Sequence, residues 1–152
     1  MRDVSVLISV YAKEQPEYLE AAVMSMINQT LMAKEIVIVR DGTLTRELEN
    51  TLILLQNKYP IIKLFGYEKN RCLGLALKYG VEKCQCDLIA RMDTDDISVP
   101  DRLELQVTAF EEEPTLDIVG GQIDEFEKDP KIVSGSRRVP LEHNDIVKYQ
   151  RR

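Results

Sequence analysis

The chain contains no tryptophan, one histidine (His143) and three cysteines (Cys72, Cys84 and Cys86). A single histidine argues against zinc ligation and against a histidine-dependent nucleophilic triad. The cysteines show no zinc-ligand spacing, and Cys84-x-Cys86 is not a redox Cys-x-x-Cys pair. An odd count in a chain without an export signal reads as reduced, partly buried thiols. Positive charge is also short: 20 Lys and Arg stand against 26 Asp and Glu, a formal net charge of −6. A general nucleic-acid binder needs a basic stripe, and Arg137-Arg138 with Arg151-Arg152 are too few to build one. No apolar run approaches a membrane span and the start does not read as a signal peptide, so the expected location is cytoplasmic. Glycine occurs only 7 times, and neither Gly-x-Gly-x-x-Gly nor Gly-x-x-x-x-Gly-Lys-[Ser/Thr] is found. The Rossmann and P-loop fingerprints are thereby excluded.

What remains is the composition of a soluble globular domain, 44% hydrophobic and 30% charged over 152 residues, long enough for one core. Apolar, β-rich runs alternate with helical spacing. Val4–Tyr11 reads as a first strand, and Pro16 opens a helix carrying Tyr18, Leu19, Ala22, Val23, Met26 and Ile27. Glu35–Val39 is a second strand, continuous in its apolar character as one covered on both faces should be. Thr45 caps a helix running to Tyr59, which Pro60 stops, and Ile61–Tyr67 is a third strand. Leu73–Cys84 is helical, Leu88–Met92 a fourth strand, Pro100–Glu113 a helix and Asp117–Gly121 a fifth strand. The pattern then loosens to a β pair, Ile123–Phe126 and Ile132–Val139 around Asp129-Pro130, and a helix from about Asn144. Such alternation implies right-handed crossovers and an α/β fold, a mainly parallel sheet flanked by helices.

The most informative stretch is Asp93-Thr94-Asp95-Asp96, three carboxylates in four residues at the end of the fourth strand. In extended backbone, Asp93 and Asp95 would point to the same side. Two such carboxylates suit Mg²⁺ or Mn²⁺ with positions left open for phosphate oxygens. The plainer role is a solvated acidic turn ahead of the helix near Pro100. Ligands of open parallel sheets sit beyond the carboxyl ends of the strands. Those ends also carry Ser9-Val10-Tyr11 and Asp41-Gly42. Tyr11 could stack on a planar base, or simply close the edge of the core. Asp41 could accept from a ring N–H or a ribose hydroxyl, or serve only as a turn residue. Arg71, in Asn70-Arg71-Cys72-Leu73-Gly74, supplies a cation near a helix N-terminus that suits a diphosphate, unless it is an ordinary surface charge. With no glycine-rich phosphate loop, most phosphate neutralisation falls to a metal.

Read in order, the first strand through Tyr11, Ser25-Met26-Ile27-Asn28-Gln29-Thr30, Glu35–Gly42, Asn70–Gly74 and Met92–Asp96 with Pro100-Asp101-Arg102-Leu103 resemble the N-terminal half of a family 2 glycosyltransferase of the GT-A (nucleotide-diphospho-sugar transferase-like) fold. The resemblance covers nearly the whole chain. It implies inverting, hexosyltransferase-type transfer of a sugar from a nucleotide diphosphate sugar, a UDP-sugar foremost, with Mg²⁺ or Mn²⁺. The implied acceptor is a glycan or lipid-linked glycan, with neither nucleic acid nor a transmembrane segment involved. By motif match, Asp41 takes the base, and Ser9 and Tyr11 line the same pocket, with Val10, Arg71 and Thr94 counted among the nucleotide-binding residues. Asp93 and Asp95 serve ribose and metal, the metal falling to Asp95 first, then Asp93 and the adjacent Asp96. The Arg40-Asp41-Gly42 form resembles bacterial members that build capsule or exopolysaccharide, which puts the full-length protein at the inner face of the membrane. The pattern departs at Arg40, Cys72 and Lys78, where many members carry Asp, Gly and Asn. On this reading residues 1–121 are the nucleotide-sugar-binding core and 122–152 the incomplete start of the acceptor side. The catalytic base is then expected beyond Arg152, and the 152-residue chain is expected to bind donor without transferring it.

Two other readings share the sheet. A sugar-nucleotide nucleotidyltransferase should carry a glycine-rich basic loop after its first strand, where this chain has Tyr11-Ala12-Lys13-Glu14. A non-catalytic phospho-accepting receiver module needs an acidic pair there.

Overall fold

The computed structural model describes residues 2–127 and 129–150. It divides into two compact units, 1–115 and 116–152. The first unit runs β1 (Val4–Val10), α1 (Pro16–Ile27), β2 (Glu35–Asp41), α2 (Arg46–Lys58), β3 (Ile62–Tyr67), α3 (Leu73–Val81), β4 (Leu88–Met92) and α4 (Arg102–Glu112). Its four strands form one wholly parallel sheet in the order β3-β2-β1-β4.

Strand alternation sends successive side chains to opposite faces, and both faces here are covered. Val6, Ile8 and Val10 of β1, with Ile36 and Ile38 of β2, meet Leu19, Val23 and Met26 of α1, Leu48 and Leu52 of α2, and Leu103 and Val107 of α4. Leu7, Val37 and Val39 take the other face, against Ala76 of α3 and the partly buried Phe65 and Leu77. Burial on two sides explains the unbroken apolar runs of β1 and β2. Each such buried aliphatic side chain contributes about 1.5–3 kcal/mol. Helix α3 lies so close to the sheet that a Cβ on Gly80 would sit 2.3 Å from Leu7 Cδ1. At the amino edge of the sheet the buried Glu35 carboxylate is satisfied locally. Its Oε1 accepts from Ser5 Oγ at 2.8 Å and from Gln85 N at 2.6 Å.

Local signals set most boundaries. Pro16 opens α1, and Thr45 caps α2 by accepting from Leu48 N. Helix α3 ends at Val81, short of Cys84, where the backbone tightens and both Lys83 N and Cys84 N donate to Gly80 O. Helix α4 starts at Arg102, because Val99–Arg102 is held in a turn and Pro100 O accepts from Thr30 N.

In the second unit, β5 (Ile123–Glu125) and β6 (Gly135–Arg137) pair antiparallel, and α5 (His143–Gln150) follows. The expected fifth strand at Asp117–Gly121 does not form. Its backbone has no ladder partner among the described residues, and Ile118 is 85% exposed. Without burial, nothing offsets the entropy of ordering Gly120 and Gly121.

Candidate functional site

Three parallel strands release their chains at one edge of the sheet. The loops after β1, β2 and β4, with the turn before α3, enclose a cleft of about 380 Å³. It is lined by Ser9, Tyr11, Glu14, Asp41, Asn70, Cys72, Leu73, Asp93, Thr94 and Asp95. Six of the nine expected site residues therefore meet there: Ser9, Tyr11, Asp41, Asp93, Thr94 and Asp95. Val10, Arg71 and Asp96 do not line it. Val10 is fully buried among the core residues, the consequence of strand parity one step from Ser9. The Arg71 guanidinium lies over the Tyr67 ring, 4.6 Å from its centroid. Glu14 was not singled out in the sequence. Only its place in the loop after β1 could have signalled it.

Asp41 is the best-fixed member. It is 4% exposed, and its Oδ1 accepts from Arg71 N at 2.7 Å. Asn70 Nδ2 donates to Asp41 O at 3.1 Å, and Asn70 Oδ1 accepts from Cys72 N. Gly42 makes the approach possible: its φ is +90°, and a Cβ there would lie 2.7 Å from Asn70 N. Cys72 follows with φ 69° and ψ 158°, a conformation that costs a non-glycine residue about 1–3 kcal/mol. Its thiol is free and exposed.

The acidic segment is shaped differently from the expectation. Strand β4 stops at Met92 and Thr94-Asp95 form a turn, so Asp93 and Asp95 share the cleft through that turn, not through strand alternation. Thr94 is buried at its centre. Arg91 forms an ion pair with Asp93. Burial, and then the charges of Asp95 and Asp93, raise the Asp96 carboxyl above the ordinary range, while Arg102 and Arg91 oppose the shift. Arg102 clasps the segment from α4. Its Nη2 donates to Arg91 O and its Nη1 to Ser98 Oγ, both at 2.9 Å.

The run Ser25–Thr30 proves to be the fastening of this loop. Gln29 is buried, and its Nε2 donates to Ser25 O at 2.9 Å and to Val99 O at 2.8 Å. Its Oε1 accepts from Leu103 N at 2.9 Å. Ser25 Oγ accepts from Ser98 N, and Thr30 Oγ1 donates to Glu104 Oε2. Residues remote from the cleft thus hold the chain that leaves it.

A parallel sheet with an acidic cleft at its carboxyl edge and no glycine-rich phosphate loop is compatible with the glycosyltransferase class, and similarity to known proteins decides it. Residues 5–152 match glycosyl transferase family 2, and the chain belongs to that family. It is 42% identical to the amylovoran biosynthesis glycosyltransferase AmsE of Erwinia amylovora over 97% of this chain and 54% of that protein. It is 36% identical to the UDP-Gal:alpha-D-GlcNAc-diphosphoundecaprenol beta-1,3-galactosyltransferase of Escherichia coli, over 97% of this chain and 53% of that one. The fold is GT-A. The mannosyltransferase PcManGT of Pyrobaculum calidifontis, solved with GDP-Man and Mn²⁺, superposes with a TM-score of 0.64 at 16% identity, over 72% of this chain and 32% of that chain. The chain spans about half the length of the curated relatives it matches. Family membership sets aside the nucleotidyltransferase and receiver readings. No helix among the described residues is long and apolar enough to cross a membrane.

Proposed function

We propose that this chain is the donor-binding part of a metal-dependent, inverting glycosyltransferase that moves a sugar from a UDP-sugar to a glycan or lipid-linked glycan in exopolysaccharide assembly. One observation carries this reading. The cleft gathers Glu14, Asp41, Asp93 and Asp95 and has no lysine or arginine among its lining residues. A diphosphate entering such a cleft meets a net negative lining, Asp93 alone of its acids being paired with an arginine among the described residues, and close like charges in a partly buried site cost several kcal/mol. A divalent cation is the economical remedy. Mg²⁺ is commonly held by one or two carboxylates with phosphate and water completing the shell. Asp95 and Asp93 would hold it, and the bound ion would neutralise the departing diphosphate.

The remaining roles follow from position. Tyr11, 40% exposed at the rim, stacks on the base. Asp41, with Oδ1 committed to Arg71 N, offers its second oxygen to a ring N–H. Thr94 and Asp93 face the ribose, and Ser9 closes the floor. Inverting attack also needs a base for the acceptor hydroxyl. In the second unit, Asp124, Glu125 and Asp145 are exposed and already paired with Arg138, Arg137 and Lys148. The base belongs, on this proposal, to the half of the relatives' length that this chain does not span. A whole protein acting on a lipid-linked or polymeric acceptor would, on this proposal, work in the cytoplasm at the inner membrane face.

Calorimetry with UDP, with and without Mn²⁺, tests the proposal. Binding should require the metal and vanish in EDTA, and Asp95→Asn should weaken it without lowering the melting temperature. Equal affinity in EDTA would refute metal dependence.

A further inference from the structure

Tyr67 closes β3 and stands directly across the parallel ladder from Asp41. Its ring is held without help from its hydroxyl. The Arg71 guanidinium covers one face at 4.6 Å from the centroid, and the Tyr79 ring meets it at 5.6 Å and 71°. Phenylalanine would satisfy all of that packing. Yet the hydroxyl is shielded from solvent and no hydrogen bond of full geometry reaches it, while the Asp41 side chain stands close enough to act as its acceptor, an arrangement that leaves its bond to be completed. Burial first, then hydrogen bonding to the Asp41 side chain and the Asp41 charge, push the phenol up to about 12 against the opposing Arg71 charge, so near neutral pH it is a standing proton donor. The nearest charged acceptor that influences it is Asp41, whose Oδ1 already accepts from Arg71 N.

We infer that Tyr67 is a positioning residue for the nucleobase end of the cleft, its hydroxyl donating to the Asp41 carboxylate when that carboxylate turns to accept a ring N–H. The inference rests on the reading of Asp41 as the base contact. Asp41 then has three donors around one carboxylate: the Arg71 amide, the Tyr67 hydroxyl and the ligand. A carboxylate has lone pairs enough for all three. The first two fix its plane, so that the third site faces the base. Selectivity follows from the same geometry. Uracil presents a ring N–H to the carboxylate, whereas cytosine presents a bare ring nitrogen at that position.

The test is Tyr67→Phe in the 152-residue chain, titrated with UDP, CDP and pyrophosphate, each with Mn²⁺, beside thermal melting. The variant should melt close to the parent temperature, since the ring keeps its packing against Arg71 and Tyr79. UDP affinity should fall by roughly tenfold, the scale of one hydrogen bond to a charged group. Pyrophosphate affinity should stay unchanged, and the preference for UDP over CDP should narrow. An undiminished UDP preference in the variant, with the preference present in the parent chain, overturns the role of Tyr67 alone. Equal losses for UDP and pyrophosphate with a lower melting temperature would reduce Tyr67 to a packing residue and also overturn it. A parent chain that binds UDP no better than pyrophosphate removes the base-contact reading of Asp41, and this inference with it.

Discussion

Replacing Asp41 by asparagine separates its two jobs. The carboxylate is 4% exposed, and Oδ1 takes the Arg71 amide at 2.7 Å. Alanine would leave that partly buried N–H without its acceptor, at about 1 kcal/mol of stability, and a binding defect could then be a folding defect. Asparagine keeps an oxygen for Arg71 N and places an amide NH₂ where the second carboxylate oxygen was. The surrounding turn does not depend on the side chain, because Asn70 Nδ2 is bonded to the Asp41 backbone carbonyl and Gly42 packs against Asn70. A donor now faces the ring N–H of the base. Losing a hydrogen bond to a charged group costs about 1.5–3 kcal/mol, which is roughly a ten- to hundredfold drop in UDP affinity. Pyrophosphate, which has no base, should bind as before. Calorimetry with both ligands and Mn²⁺, together with a melting curve close to that of the parent chain, reads the effect. A variant that still prefers UDP over pyrophosphate by the parent ratio refutes the reasoning and leaves Asp41 as a turn residue.

Gln29→Ala should destabilise the first unit by about 2–3 kcal/mol, because Leu103 N, Val99 O and Ser25 O lose one shared partner in a buried setting. A urea midpoint unchanged within error contradicts the fastening role. Burial, and then the Glu35 charge, push the Cys84 thiol from 9.0 up to about 11, so iodoacetamide at pH 8 should modify the exposed Cys72 well before Cys84. Equal labelling in a mass-spectrometric time course would count against it. Because the folded value lies above the unfolded one, Cys84 contributes its full stability below about pH 9 and loses it as pH rises through about 11. Cys84→Ala should flatten that part of the pH–stability curve.

The sheet was readable because two-sided burial writes itself into composition. Glu35–Val39 and Leu88–Met92 needed no alternation to be recognised, since helices lie on both faces of the sheet. Asp117–Gly121 has the same apolar character and forms no strand, because a strand exists only with a neighbour to complete its ladder. Composition reports what a segment would do if paired. It does not report whether the partner is there. Helix ends failed for a related reason: α4 begins at Arg102 and not Pro100 because Pro100 O is engaged by Thr30, a contact with no local trace.

The site divides along the same line. Ser9, Tyr11, Asp41 and the acidic loop could be placed together because every parallel strand ends at one edge, a rule that needs strand order of no kind. Val10 could have been excluded by parity, since Val6, Ile8 and Val10 share the core face. Arg71 could not. Its position over Tyr67 depends on β2 and β3 lying in register, with Asp41 opposite Tyr67. Nor could the carboxylate geometry be read, because it assumed strand backbone where Thr94-Asp95 turn. That turn is imposed from outside: Arg102 reaches back from α4, and Gln29 fastens the following residues to α1. The chemistry of the cleft is thus spelled in its own short motifs, while its shape is set by polar residues about seventy positions away in the chain, such as Gln29 and Ser25. A search for site residues confined to the acidic loop would find the groups that touch a ligand and miss those that decide whether they can.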